Sequence, residues 1–148
     1  MATPDGITSA DWDRVHELAL WVLASLSDPE AEKESHRELL QYLDTLEAKY
    51  GPRPSILATR ADFVDSDEST EQLLHRAYHL AVATSDHTNK MYIAHSLAQF
   101  YIEQQVDIVR GRKWLERLDA HLLEVPDDYF SKDARTMAER LTELDLVG

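Results

Sequence analysis

Apolar residues recur along most of this chain at intervals of three and four, the spacing that places them on one face of an α-helix. Seven segments carry such a stripe: about 9–26, 29–50, 53–64, 70–84, 89–105, 108–124 and 131–146. The strict alternation that is typical of β-strands is nearly absent. The pattern therefore predicts an all-α protein whose helices are joined by short polar turns.

Capping residues sharpen several of these predicted boundaries. Asp28 stands where an N-cap is expected, and Pro29 follows at the first position of the second helix. Gly51 can adopt the left-handed conformation that ends a helix. Ser69, with a glutamine three residues later, predicts a capping box for the fourth helix, and Ser131 is the expected N-cap of the last one.

The predicted helices form pairs that recur at a regular interval. The second members begin near residues 30, 70 and 108, so the period is 38 to 40 residues, which is typical of a helical array. The fifth helix is apolar around most of its circumference, as the inner helix of such an array would be. We expect one domain over residues 1–148, with helix pairs at about 9–50, 53–85 and 89–124 and a capping helix at 131–146.

One stretch of the chain carries a recognisable motif. It comprises Leu97-Ala98-Gln99-Phe100-Tyr101, then Gly111, then Trp114-Leu115-Glu116-Arg117-Leu118, and finally Pro126. This arrangement resembles a tetratricopeptide repeat, although the interval exceeds the 34 residues of that family. Residues 55–84 resemble a degenerate copy and residues 9–50 a weaker one. The resemblance implies a right-handed superhelix of three antiparallel helix pairs that is closed by the C-terminal capping helix.

Charge and composition exclude several classes of function. The chain has 28 acidic and 15 basic residues and a formal charge of −13, so nucleic acid and anionic membrane surfaces would repel it. It has no cysteine and only four glycines, which excludes thiolate chemistry and a phosphate-cradling loop. We therefore expect no cofactor, no nucleic acid and no membrane among the ligands of this protein.

The N-terminus and the apolar stretches bear on where the protein works. The first residues are acidic and lack the basic-then-apolar order of a secretory signal. The longest apolar stretch, residues 18–24, has seven residues, whereas a membrane span needs roughly 20. A cytoplasmic location is the prediction.

The histidines raise the possibility of a metal site. His75 and His79 lie one helical turn apart on the fourth helix, with Asp86 beyond its end, and such groups can bind a divalent cation or act as a general base. The helical wheel, however, places both opposite the apolar stripe, which favours an ordinary solvated surface. We predict no metal site and no catalytic residue.

Two sets of residues are candidates for binding a protein partner. The first is a polar strip on the fifth helix, formed by Tyr92, His95, Ser96, Gln99 and Glu103. By resemblance to tetratricopeptide repeats, this strip would line a concave binding surface. A hydrogen-bonding seam to a neighbouring helix explains it equally well.

The second set lies on the first helix and comprises Asp13, Glu17, Leu20 and Trp21. Trp21 is either an exposed anchor for a partner or a core residue. The acidic excess is greatest in this region, since residues 1–50 contain 11 acidic and 4 basic residues. A solvated face is the simple explanation, but such a face would also attract a basic protein.

These observations favour a non-catalytic binding module, and most of all an acidic immunity-type inhibitor that masks a basic toxin or nuclease. Three alternatives stay open: a small secretion chaperone or adaptor of the tetratricopeptide type, a metal-dependent enzyme that uses His75 and His79, and an array that self-associates through Leu20 and Trp21.

Overall fold

The structure is a computed structural model that describes residues 2–147. Over these residues it contains seven α-helices and no β-strand, so the all-α prediction is confirmed. The helices are α1 (Ser9–Ala24), α2 (Pro29–Tyr50), α3 (Pro54–Phe63), α4 (Asp67–Ala83), α5 (His87–Gln99), α6 (Ile108–Glu124) and α7 (Asp128–Val147). A π-helical turn, Phe100–Gln104, follows α5 directly. The superhelical arrangement stays a prediction.

Contacts within the chain define two compact units, Met1–Leu73 (unit 1) and Leu74–Gly148 (unit 2), and the boundary falls within α4. Unit 1 is organised around the pair α1 and α2. Its core is aliphatic and consists of Ile7, Val15, Leu18, Val22, Leu39, Leu43, Leu46 and Ile56. The removal of these side chains from water is the main source of stability for the unit.

Polar contacts fix the ends of the helices in unit 1. The Asp11 carboxylate near the start of α1 accepts hydrogen bonds from Lys49 Nζ at 2.8 Å and from the Tyr50 hydroxyl at 2.5 Å, so α1 and α2 run antiparallel. These two hydrogen bonds lower the pKa of Asp11 to about 2. The Asp5 carboxylate accepts the backbone N–H of Ser55 at 2.7 Å, where a helix N-terminus favours an anion.

The N-cap prediction is confirmed in α2, where the Asp28 side chain accepts the N–H groups of Glu30 and Ala31. Gly51 ends this helix as predicted, but its φ of 80° and ψ of 177° lie outside the left-handed helical conformation. The capping predictions are wrong in two other helices. The helix α4 begins at Asp67, one turn before the expected boundary, because Ser66 Oγ accepts the Ser69 N–H at 3.1 Å. The same correction applies at α7, where the Asp127 carboxylate accepts the N–H of Phe130 at 3.0 Å and Ser131 lies inside the helix.

In unit 2, α5 is buried along most of its length, as its apolar circumference indicates. The π-helical turn after it was not predicted. There the Gln105 N–H donates to the Phe100 carbonyl at 3.0 Å, which skips one residue more than an α-helix does. Phe100, Tyr101 and Ile102, which are consecutive in this turn, are all buried.

The helix α6 approaches this turn closely at a glycine. A Cβ atom on Gly111 would lie 2.6 Å from Cγ1 of Ile102, which is far inside van der Waals contact. The small residue of the repeat-like motif therefore stands where only a hydrogen atom fits. Val106, at the end of the turn, has a φ of 51°, an unfavourable conformation for a β-branched residue.

Candidate functional site

The outer face of α1 in unit 1 combines acidic and apolar side chains. Asp13 and Glu17 are exposed, and Leu20 and Trp21 follow at helical spacing with 65% and 38% of their surface accessible. The opposite face of the helix contributes Val15, Leu18 and Val22 to the core. Trp21 therefore lies at the surface, and the alternative interpretation of Trp21 as a core residue is wrong.

Two further leucines close by in the sequence are also exposed. Leu23 and Leu26, at the end of α1 and in the turn to α2, are 60% and 59% exposed. We refer to Leu20, Trp21, Leu23 and Leu26 as the α1 apolar patch. Scattered apolar residues are normal on a protein surface, and four exposed ones within seven positions make this segment a candidate for binding a partner.

The polar strip on α5 is used largely for contacts within unit 2. His95 is buried, its Nε2 bonds to the carboxylate of Asp133 on α7, and its ring centroid is 4.9 Å from that of Phe130. Tyr92, which is partly exposed, has its ring centroid 6.2 Å from the same phenylalanine. The arrangement at His95 is the hydrogen-bonding seam that the sequence allowed as an alternative to a binding surface.

The remaining members of the strip lie in the π-helical turn and on the exposed side of α5. Glu103 is 4.0 Å from the guanidinium of Arg140 on α7. Ser96 Oγ donates to the carbonyl oxygen of Tyr92 at 3.2 Å, and Gln99 is exposed. Binding of a partner by Tyr92, Ser96, Gln99 and Glu103 stays a prediction, as does a part for His95 in it.

The expectation that His75 and His79 share a solvated face is wrong for His75. Its Nε2 lies 2.8 Å from the Tyr101 hydroxyl, and its ring centroid is 5.4 Å from that of Trp114 on α6. His79 is exposed. The two side chains therefore have different environments, because the face of α4 that packs on α6 is wider than its aliphatic stripe.

His75 belongs to an aromatic cluster that the sequence did not predict. The Tyr78 and Trp114 ring centroids are 4.8 Å apart at 85°, and the Tyr78 hydroxyl lies 2.9 Å from His121 Nε2. The guanidinium of Arg117 covers Trp114 at 4.3 Å. Burial, together with the nearby charges of Lys90 and Arg117, lowers the pKa of His121.

A surface cleft of about 490 Å³ lies in unit 1 between the first half of α2 and the end of α3. Its lining residues are Pro29, Glu32, Lys33, His36, Leu40, Phe63, Val64 and Asp65. The His36 and Phe63 rings meet edge to face, with centroids 5.7 Å apart. Sequence analysis missed this cleft because its shape depends on how far α3 extends alongside α2.

Charge differs strongly between the two units. Residues 1–73 contain sixteen acidic and six basic residues, a net charge of −10, whereas residues 74–148 contain twelve and nine, a net charge of −3. Unit 1 thus carries most of the negative charge, and it also carries the α1 apolar patch and the cleft.

No protein-family model matches the chain, and searches of curated proteins and of solved structures found no significant match. Among residues 2–147, no helix is both long enough and apolar enough to cross a membrane. The same residues contain no group of three or more histidine, aspartate and glutamate side chains placed to hold a metal ion.

Proposed function

We propose that this protein is a non-catalytic binding module, and that unit 1 covers a basic protein partner such as a toxin or a nuclease. One observation supports this above the others: the acidic unit is also the one that exposes Leu20 and Trp21 beside Asp13 and Glu17. Apolar side chains supply the buried centre of an interface, and the surrounding charges direct its formation.

The charge of unit 1 determines the kind of partner. A net charge of −10 over residues 1–73 repels other acidic proteins and attracts those with a positive surface. Proteins that act on nucleic acid have such a surface, because they must neutralise phosphate groups. An acidic module that occupies this surface inhibits its partner without any chemistry of its own. The same proposal includes a tetratricopeptide-like superhelix, which would act as the scaffold that holds the binding face rigid.

The α1 apolar patch also favours a second candidate, a secretion chaperone or adaptor that holds an apolar segment of its client. The two candidates differ in their response to salt. Masking of a basic partner weakens steeply as ionic strength rises, because exposed charges are screened beyond about 8 Å at physiological salt. Binding of an apolar segment persists at high salt.

The test is affinity capture from the native cell with matched variants. Asp13→Asn with Glu17→Gln removes two negative charges from the outer face of α1. Glu116→Gln with Glu139→Gln removes two negative charges from exposed positions of unit 2, so that both variants have the same net charge. We expect the native chain to retain a basic protein in stoichiometric amount. The first variant should associate with this protein several-fold more slowly, whereas the second variant should bind it as the native chain does. Failure to retain a stoichiometric basic partner, or equal losses in both variants, would contradict the proposal.

A further inference from the structure

We infer that the cleft in unit 1 binds an arginine side chain of the basic partner. This inference rests on the proposed function, since it names the group through which the acidic unit would recognise its partner. It has three supports: the origin of the cleft, the chemistry of its lining and the charge around its rim.

The cleft is a consequence of unequal helix lengths. The helix α2 has 22 residues and α3 has 10, so they are about 33 Å and 15 Å long at 1.5 Å per residue. Since the two helices are joined at residues 51–53, α3 ends beside the middle of α2 and leaves the first turns of α2 without a neighbour from α3. The cleft is therefore built into the secondary structure, and its volume lies within the range of ligand-binding pockets, about 300–1,000 Å³.

The lining of the cleft suits a side chain that is apolar along its length and cationic at its tip. Leu40, Phe63 and Val64 supply apolar surface, and the His36 ring lies against Phe63. The carboxylates of Glu32 and Asp65 belong to opposite sides, one on α2 and one just after α3. A guanidinium group can stack on an aromatic ring and present several N–H donors to carboxylates at the same time.

The surroundings of the cleft favour a cation over an anion. Lys33 is the one lysine or arginine in the lining that the structure describes, and the lining also contains two carboxylates. Further acidic residues flank both sides in the sequence: Glu30 and Glu34 on α2, and Asp67 and Glu68 at the start of α4. The planar guanidinium fits this site better than the compact ammonium group of lysine, which holds its water more strongly.

The experiment uses the full chain and three synthetic peptides of equal length. The first alternates arginine with glycine, the second replaces arginine with lysine, and the third replaces it with citrulline, which keeps the shape and removes the charge. Backbone amide shifts locate the bound peptide, and titration gives its affinity. We expect shifts at residues 30–40 and 63–65, and an affinity for the arginine peptide that is about tenfold above that for the citrulline peptide and severalfold above that for the lysine peptide.

Matched variants test whether the cleft itself is responsible. Glu32→Gln with Asp65→Asn removes both carboxylates from the lining, and we expect it to weaken the arginine peptide about fivefold or more. Glu30→Gln with Glu34→Gln removes the same charge from α2 outside the lining and should weaken it by less than about twofold. Equal losses in the two variants, equal binding of arginine and lysine or citrulline, or shifts confined to α1 would each overturn the inference.

These results also separate the inference from the proposed function. If partner capture depends on Asp13 and Glu17 but the arginine peptide leaves the cleft unshifted, the cleft assignment fails and the binding function stands. If the peptide binds in the cleft but no basic partner is retained, the reverse holds.

Discussion

The two units are stabilised by different kinds of interior. Unit 1 has an aliphatic core, and polar contacts such as those of Asp11 and the ion pair of Arg60 with Asp44 lie around it. Unit 2 buries rings and imidazoles together, with His75 bonded to Tyr101 and Tyr78 bonded to His121. These four side chains are thus already used for packing in unit 2.

The two units also differ in how their charged side chains are paired. In unit 2, Arg117 covers Trp114, and Arg112 and Arg140 pair with acidic residues of α7. In unit 1, sixteen acidic residues face only six basic ones, so internal pairing leaves an excess of carboxylates. The comparison shows that the two units differ in charge more than in exposed apolar surface: unit 1 has the larger excess of carboxylates, whereas both units expose apolar side chains, among them Leu20 in unit 1 and Leu123 in unit 2.

The largest effect that this comparison predicts comes from its tryptophans. Trp114 of unit 2 is 4% exposed and contacts Tyr78, His75 and Arg117. We expect Trp114→Ala to lower the free energy of unfolding by about 3–5 kcal/mol, the usual cost of removing a large buried ring. Urea denaturation followed by far-ultraviolet circular dichroism measures the loss.

The control is the same substitution in unit 1. Trp21→Ala should cost about 1–2 kcal/mol, because 38% of its surface is exposed. If the two variants lost equal stability, Trp21 would be as important to the packing of the fold as Trp114, and its role as a surface anchor would be wrong.

Much of the fold follows from local patterns. The bounds of α2 and α6 were predicted closely, because strong stop signals follow both helices: Gly51 directly after α2, and Pro126 two residues after α6. The starts of α4 and α7 were missed, since Ser66 and Asp127 also cap helices and stand nearer the previous turn. When two capping residues lie within one turn, sequence alone does not say which is used.

The π-helical turn and the aromatic cluster depend on tertiary contacts, and for that reason periodicity did not reveal them. Phe100, Tyr101 and Ile102 continue the helical pattern of α5, and nothing local marks the extra residue. The packing of His75 can be predicted only when Trp114 of α6 is known to lie against it, because His75 is not part of the aliphatic stripe of α4. The acidic and apolar face of α1, in contrast, was found because it depends on one helix alone.

A second prediction compares one glycine from each unit. Gly111→Ala places a methyl group 2.6 Å from Ile102 Cγ1 and should cost about 1–3 kcal/mol through overpacking. A Cβ atom on Gly51 would meet no other atom within 4 Å, but the backbone φ of 80° strains any residue other than glycine. We therefore expect Gly51→Ala to cost a similar amount, about 1–3 kcal/mol. Denaturation midpoints at constant m-value measure both losses.

Ile102→Ala separates the two mechanisms. In that background the cost of Gly111→Ala should fall by about 1 kcal/mol or more, because the colliding atom is gone, whereas the cost of Gly51→Ala should not change. Additive losses at Gly111 would mean that α6 and the π-helical turn are not held together as closely as this packing requires.

The smallest predicted effect is a difference in pH dependence. The pKa of His121 is lowered by burial, so the unfolded chain binds a proton that the folded unit 2 excludes. Stability should therefore fall as the pH drops through 6.5 towards the lowered value. In unit 1, hydrogen bonds lower the pKa of Asp11 from 3.8 to about 2, so its contribution is present above pH 3.8 and is lost as the pH falls to about 2.

Single variants assign each pH range to its unit. Because other carboxylates titrate in the acid range as well, each variant is compared with the native chain. His121→Gln should flatten the dependence of unfolding free energy between pH 7 and 5 and leave the acid window unchanged. Asp11→Asn should do the opposite. The two windows are well separated in pH, so an altered slope near pH 6 in the Asp11 variant would mean that protonation in one unit affects the stability of the other, and the units could no longer be treated as independent in their electrostatics.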